Sequence, residues 1–113
     1  MQTGLSEFIL LYIIESDLMP KAFIIMDVNI THPEQYAEYK KWSSLAMQAH
    51  DVKVLVRGGT THHLEGRKPA RSVVLEFPSW EAAENFYESH QYRRARNARE
   101  NAAIMNMFIV QGV

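Results

Sequence analysis

The sequence predicts an α+β fold in the order strand, helix, strand, strand, helix, strand, and three observations predict it. Val52-Lys53-Val54-Leu55-Val56-Arg57-Gly58-Gly59 and Arg71-Ser72-Val73-Val74-Leu75-Glu76-Phe77-Pro78 read as two β-branched strands joined across a polar break. A continuous apolar run precedes them (Lys21 to Val28) and another follows (Ile104 to Val110), both of strand length. Between these runs lie two segments with apolar residues at helical spacing.

Each element has a local reason. The run from Lys21 to Val28 reads as a central strand because it is apolar on both faces. Thr31-His32-Pro33-Glu34 starts the first helix, with Thr31 or His32 near the cap and Pro33 in the first turn. Tyr36, Tyr39, Leu45, Ala46 and Ala49 supply its apolar stripe, and Asp51 ends it. Gly58-Gly59 closes the second strand, where glycine marks a bulge or a sharp turn. The segment 60–69 reads as loop. Ser79-x-x-Ala82 opens the second helix, Trp80 to about Ser89, with Ala83, Phe86 and Tyr87 toward the core. The basic segment from His90 to Glu100 reads as one or two irregular turns before the last strand. This order and these lengths imply a ferredoxin-like βαββαβ sandwich with a four-stranded antiparallel sheet.

Composition narrows the functions. The chain of 113 residues is one domain by length, with a core of modest size. A formal net charge of −1 offers no electrostatic basis for a nucleic-acid partner or an anionic membrane surface. Cysteine is absent, so disulfides, thiol nucleophiles and Cys-based metal sites are excluded, which suits a cytoplasmic location. Residues 1–18 are read as an N-terminal extension and 19–113 as the domain, with Met19-Pro20-Lys21 resembling a start. The apolar run from Phe8 to Ile14 is too short to span a membrane and has no basic residue before it, as a signal peptide would. Leu5, Phe8, Ile9 and Tyr12 fall at helical spacing, so a docked helix is the first expectation and an added strand the second.

Asp27-Val28, Pro33-x-x-Tyr36-x-x-Tyr39, Val56-Arg57-Gly58-Gly59, Val74-Leu75-Glu76-Phe77-Pro78-Ser79 and Phe86-Tyr87-x-Ser89-x-x-Tyr92 together resemble a small bacterial family described as a domain of unknown function (DUF 1330 type). The resemblance covers nearly all of 20–113 and none of 1–18. It implies a dimeric α+β barrel, a homodimer whose two sheets pack face to face. It implies no activity: relatives in that superfamily include cofactor-free monooxygenases, lactone isomerases and haem enzymes.

Alternation along the strands assigns faces. Ile24/Met26/Val28, Val52/Val54/Val56 and Val73/Leu75/Phe77 should receive the helices. Phe23/Ile25/Asp27, Lys53/Leu55/Arg57 and Val74/Glu76 form the opposite face, turned to a partner sheet or a cavity. Asp27 and Arg57 then share one face at one end of the sheet, with Asn106 joining them if its face agrees, and Glu76 lies at the far end. This places catalysis on Asp27 and Arg57, Arg57 holding an anionic or enolic oxygen and Asp27 orienting or accepting a proton. The alternative is an ion pair serving packing and register. Glu76 reads as the partner of a basic residue or, less directly, as part of a site.

Arg93, Arg94, Arg96 and Arg99 make the one charge run. Arg93 and Arg96 share a helical face and with Tyr92 can receive a carboxylate or phosphate; otherwise the run is a solvated face balanced by Glu84, Glu88 and Glu100. The substrate-binding set is therefore Tyr39, Glu76, Tyr92, Arg96 and Asn106. No metal or cofactor is expected: His62 and His63 are adjacent and point apart in a strand, while His32, His50 and His90 sit at unrelated spacings. The expected function is a cofactor-free enzyme of isomerase or monooxygenase type acting on a small organic acid or enolisable compound. The alternative is a dimeric ligand-binding or structural module without catalysis.

Overall fold

A computed structural model describes Glu7 and residues 19–113. Apart from Glu7, the expected helix or strand within 1–18 lies outside the described residues. The order is β1 (Ala22–Ile30), α1 (Pro33–Ala49), β2 (Lys53–Arg57), β3 (Ser72–Phe77), α2 (Trp80–Glu88), α3 (His90–Ala98) and β4 (Ala103–Gln111). The four strands form one sheet in the order β2-β3-β1-β4, every adjacent pair antiparallel. This is the expected ferredoxin-like sandwich, with the helices on one face.

β1 buries Ala22, Ile24, Met26 and Val28 beneath the helices, which is why its alternate positions are apolar. Val73, Leu75 and Phe77 of β3 continue that face, and Phe86 of α2 packs on Phe77 with ring centres 5.3 Å apart. Among the described residues no element covers the other face, which is also largely apolar. Ile25 stands between Val74 and Phe108 across the sheet, and Phe23 between Glu76 and Val110. Phe108 remains 49% exposed and Ile104 68%.

The helices depart from expectation in two places. The buried stripe of α1 is Tyr36, Tyr39, Ser43 and Ala46, spaced by three and four residues. Leu45 lies one position off that stripe and is exposed. The basic segment is a regular helix, α3, rather than irregular turns. Ser89 starts it: the Ser89 hydroxyl accepts a hydrogen bond from the Tyr92 N–H (3.1 Å) and donates to the Phe86 carbonyl (2.7 Å) that ends α2. Tyr92 and Ala95, one turn apart, bury its inner face. Ser79 caps α2 as its spacing predicts, accepting from the Ala82 N–H at 3.0 Å.

α1 and α3 lie against each other. The Gln35 side chain donates to the Glu100 and Ala98 carbonyls (2.6 and 3.3 Å), satisfying groups that the end of α3 leaves unpaired. The Thr31 and His32 N–H groups at the start of α1 both donate to the Ala102 carbonyl.

Candidate functional site

A cavity of about 90 Å³ lies between α1 and the sheet. Met26, Val73, Leu75 and Phe86 give it an apolar floor. Tyr36, Tyr39, Ser43 and Tyr92 add hydroxyls, and Lys40, Arg57 and Arg71 add positive charge.

Arg57 reaches this cavity through a β-bulge. Lys53 pairs with Glu76 and Val54 with Leu75, but Val56 then pairs with Val74, so Leu55 is an extra residue in β2. The insertion shifts the alternation by one. Residues directly opposite in an antiparallel pair share a face. Val56 therefore joins Val74 on the open face, and Arg57 joins Val73 on the helix face. The expectation that Arg57 and Asp27 share a face is corrected on this point. Asp27 pairs with Ser72 on one side and Asn106 on the other, on the open face. The two residues do lie at the same end of the sheet, but no ion pair joins them among the described residues.

Asp27 has a different task. One of its carboxylate oxygens accepts from the Ala70 N–H (2.9 Å) and the Arg71 N–H (3.2 Å), while the Arg71 carbonyl accepts from the Val28 N–H (2.8 Å). Asp27 thus pins the backbone where β3 begins and Arg71 enters the cavity wall. Sequence reasoning passed over Arg71. Its signal was present, because Arg71, Val73, Leu75 and Phe77 alternate on one face. Gly58 makes room for it: the glycine has φ +70°, and a Cβ there would lie 3.2 Å from Arg71 Nε.

At the inner end, the Tyr39 and Tyr92 hydroxyls are 2.6 Å apart, with the rings edge to face. The Tyr92 hydroxyl also reaches the Met107 sulfur at 3.8 Å. Burial raises the pKa of Tyr39 far above the usual phenol value, and the adjacent Tyr92 raises it further. Tyr92 is also raised by burial, opposed by its hydrogen bond to Tyr39 and by the Arg99 charge. Tyr36 is pushed up to about 12 by burial and by Tyr39, while Arg71 and Arg99 pull it down. All three phenols are therefore protonated at neutral pH and act as neutral hydrogen-bond donors.

Of the expected site residues, Arg57, Tyr39 and Tyr92 come together at this cavity. Asp27 and Asn106 sit side by side on the open face. Glu76 lies at the other end of the open face, paired with Lys21 at 3.4 Å and opposite Lys53, which fits its reading as a partner to basic residues. Arg96 does not face the cavity. Its guanidinium lies 4.2 Å from the Tyr87 ring centre and donates to the Tyr87 hydroxyl at 3.1 Å. Arg94 stacks on Trp42 at 4.0 Å, so these two members of the run pack on aromatic faces. Among the described residues, no group of three or more His, Asp or Glu could hold a metal, and no helix is long and apolar enough to cross a membrane.

A family model described as a domain of unknown function (DUF1330) matches residues 21–113. No curated protein matches the chain. Among solved structures, the methylated RPA0582 protein is similar at 18% identity and a TM-score of 0.64, covering 100% of this chain and 93% of its own. RPA0582 is described elsewhere as a protein of unknown function from Rhodopseudomonas palustris. A conserved protein of unknown function from Bacteroides thetaiotaomicron, described as a possible oxidoreductase, is similar at 7% identity and a TM-score of 0.52, covering 82% of this chain and 97% of its own. SnoaB, a cofactor-independent oxygenase from Streptomyces nogalater, is similar at 9% identity and the same TM-score of 0.52, covering 80% and 91%. At these identities the likeness is one of fold.

Proposed function

The chain belongs to the DUF1330 family, and from that premise we propose that it is a homodimeric α+β barrel whose helix–sheet cavity binds a small organic anion and promotes its enolisation, or its oxygenation by dioxygen, without a cofactor. One observation carries this reading. Arg57 and Arg71, delivered by β2 and by the start of β3, both line a cavity walled by neutral phenols, and neither guanidinium has a carboxylate within 4.0 Å among the described residues. Arginine suits a carboxylate because its planar fork can bind both oxygens. Neutral phenol O–H groups suit the oxygen on which charge develops when a carbonyl compound enolises. The apolar floor accommodates a hydrocarbon body. The cofactor-independent oxygenase with the same fold supports the catalytic part by analogy.

The open sheet face supports the dimer. Phe108, Ile104, Val110 and Val56 are exposed on or beside it, and an apolar sheet face of this kind is normally covered by a partner.

One feature of the lining favours a second reading, a binding module without turnover. No carboxylate or imidazole lines the cavity among the described residues, so no ordinary base is in place there. Titration with pyruvate by calorimetry, together with NMR detection of solvent deuterium entering its methyl group, separates the readings. Binding that is lost in Arg57→Ala, with exchange faster than in buffer, is the expected result. Binding without exchange moves the protein to the second reading, and no binding of pyruvate or any other small carboxylate removes both.

A further inference from the structure

The cationic mouth of the cavity specifies more than an anion. Arg57 stands opposite Val73 in the β2–β3 pair, and Arg71 lies two residues before Val73 on the same face. The two are diagonal neighbours, with Cα atoms about 7–8 Å apart, a span two long side chains can bridge onto one ligand. Lys40 of α1 lines the same cavity. Three positive charges thus converge on one small space, and none is within 4.0 Å of a carboxylate among the described residues.

Two unrelated backbone devices produce this convergence. The bulge at Leu55 turns Arg57 inward, and the left-handed Gly58 leaves space for the Arg71 guanidinium beside it. Without both, one guanidinium would face the open side of the sheet and the other would be displaced. Like charges gathered without a counter-charge repel one another, and a bound monoanion would leave two of the three uncompensated. A doubly charged ligand neutralises the arginine pair.

Resting on the anion-binding reading above, we propose that the natural ligand carries a doubly charged head, either two closely spaced carboxylates or a phosphate monoester. That head sits on Arg57 and Arg71, and the body is small enough for a cavity of about 90 Å³. The phenols of Tyr36, Tyr39 and Tyr92 then face the uncharged part of the ligand.

The test is calorimetric titration of the full chain at fixed ionic strength with malonate, methyl phosphate and propionate. Both dianions, or one of them, are expected to bind about tenfold tighter than propionate or better. The tighter of the two names the head group. Arg57→Gln and Arg71→Gln each remove one of the converging charges, and each is expected to erase most of the dianion preference. Equal binding of propionate and the dianions would overturn this inference and leave the anion site standing. Failure of all three probes to bind would remove the anion site itself.

Discussion

The hydroxyls of Tyr39 and Tyr92 lie 2.6 Å apart where α1 meets α3, and both rings are almost wholly buried. Each hydroxyl therefore has the other as its main partner among the described residues. Among the described residues, Tyr39→Phe leaves the Tyr92 hydroxyl with the weak Met107 sulfur contact. We expect a loss of about 1–2 kcal/mol for either single Phe substitution, the cost of an unsatisfied buried polar group. The double substitution removes both groups and should cost less than the sum. Denaturant unfolding of the four proteins closes the cycle, and strict additivity would show that the hydrogen bond contributes nothing.

The same burial sets an alkaline limit. Tyr36 rises from the usual 10.0 to about 12 in the folded protein, and Tyr39 and Tyr92 rise too. Raised folded values mean that the native state keeps these protons while the unfolded chain releases them. Their contribution to stability is therefore complete below about pH 10 and is lost as pH climbs from 10 through 12. Unfolding free energy measured in urea should be flat in this respect up to pH 10 and fall above it. Phenolate absorbance at 295 nm should show a group of tyrosines ionising only as the protein unfolds. Ordinary titration of all five tyrosines near pH 10 would contradict the geometry.

How much of this is legible in the sequence depends on how regular each element is. β1, β3 and β4 alternate cleanly, and their faces follow from sequence because each residue keeps its register with its neighbour. β2 alternates just as cleanly, yet Arg57 was placed on the wrong face. A bulge is a relation between two strands, and Lys53-Val54-Leu55-Val56-Arg57 carries no glycine or other mark of where the extra residue sits. Ser43 was overlooked in the α1 stripe because it is polar, although it follows Tyr36 and Tyr39 at helical spacing. The cavity brings together residues from α1, β2, β3 and α3, a meeting that no local pattern encodes.

Arg57 also separates binding from stability. It is exposed at the cavity mouth and has no acidic partner among the described residues, so its removal breaks no ion pair and relieves repulsion from Arg71. Arg57→Ala should leave unfolding free energy within about 0.5 kcal/mol of the parent, as surface substitutions generally do. Anion affinity should nevertheless fall about tenfold or more, the loss of a charge-assisted hydrogen bond or two. A large drop in stability instead would identify Arg57 as a packing residue and weaken the case for the site.

The open face carries the proposed dimer contact. Phe108 is 49% exposed at the centre of β4, opposite Ile25 and next to Val110 on the same face. Covering this face by a second copy would remove Phe108, Ile104 and Val110 from water, at about 25 cal/mol per Å² of apolar surface. Phe108→Glu places a charge where the partner sheet would lie, and desolvating an unpaired carboxylate is far costlier than losing one aromatic contact. Light scattering after size exclusion should therefore give a dimer for the parent and a monomer for Phe108→Glu at micromolar concentration. Asp27 and Asn106 share that face, so Asp27→Ala has two effects to compare. If Asp27 acts only by holding the Arg71 backbone, Asp27→Ala should weaken anion binding and leave the dimer mass unchanged; a shift to monomer would place the carboxylate in the interface instead.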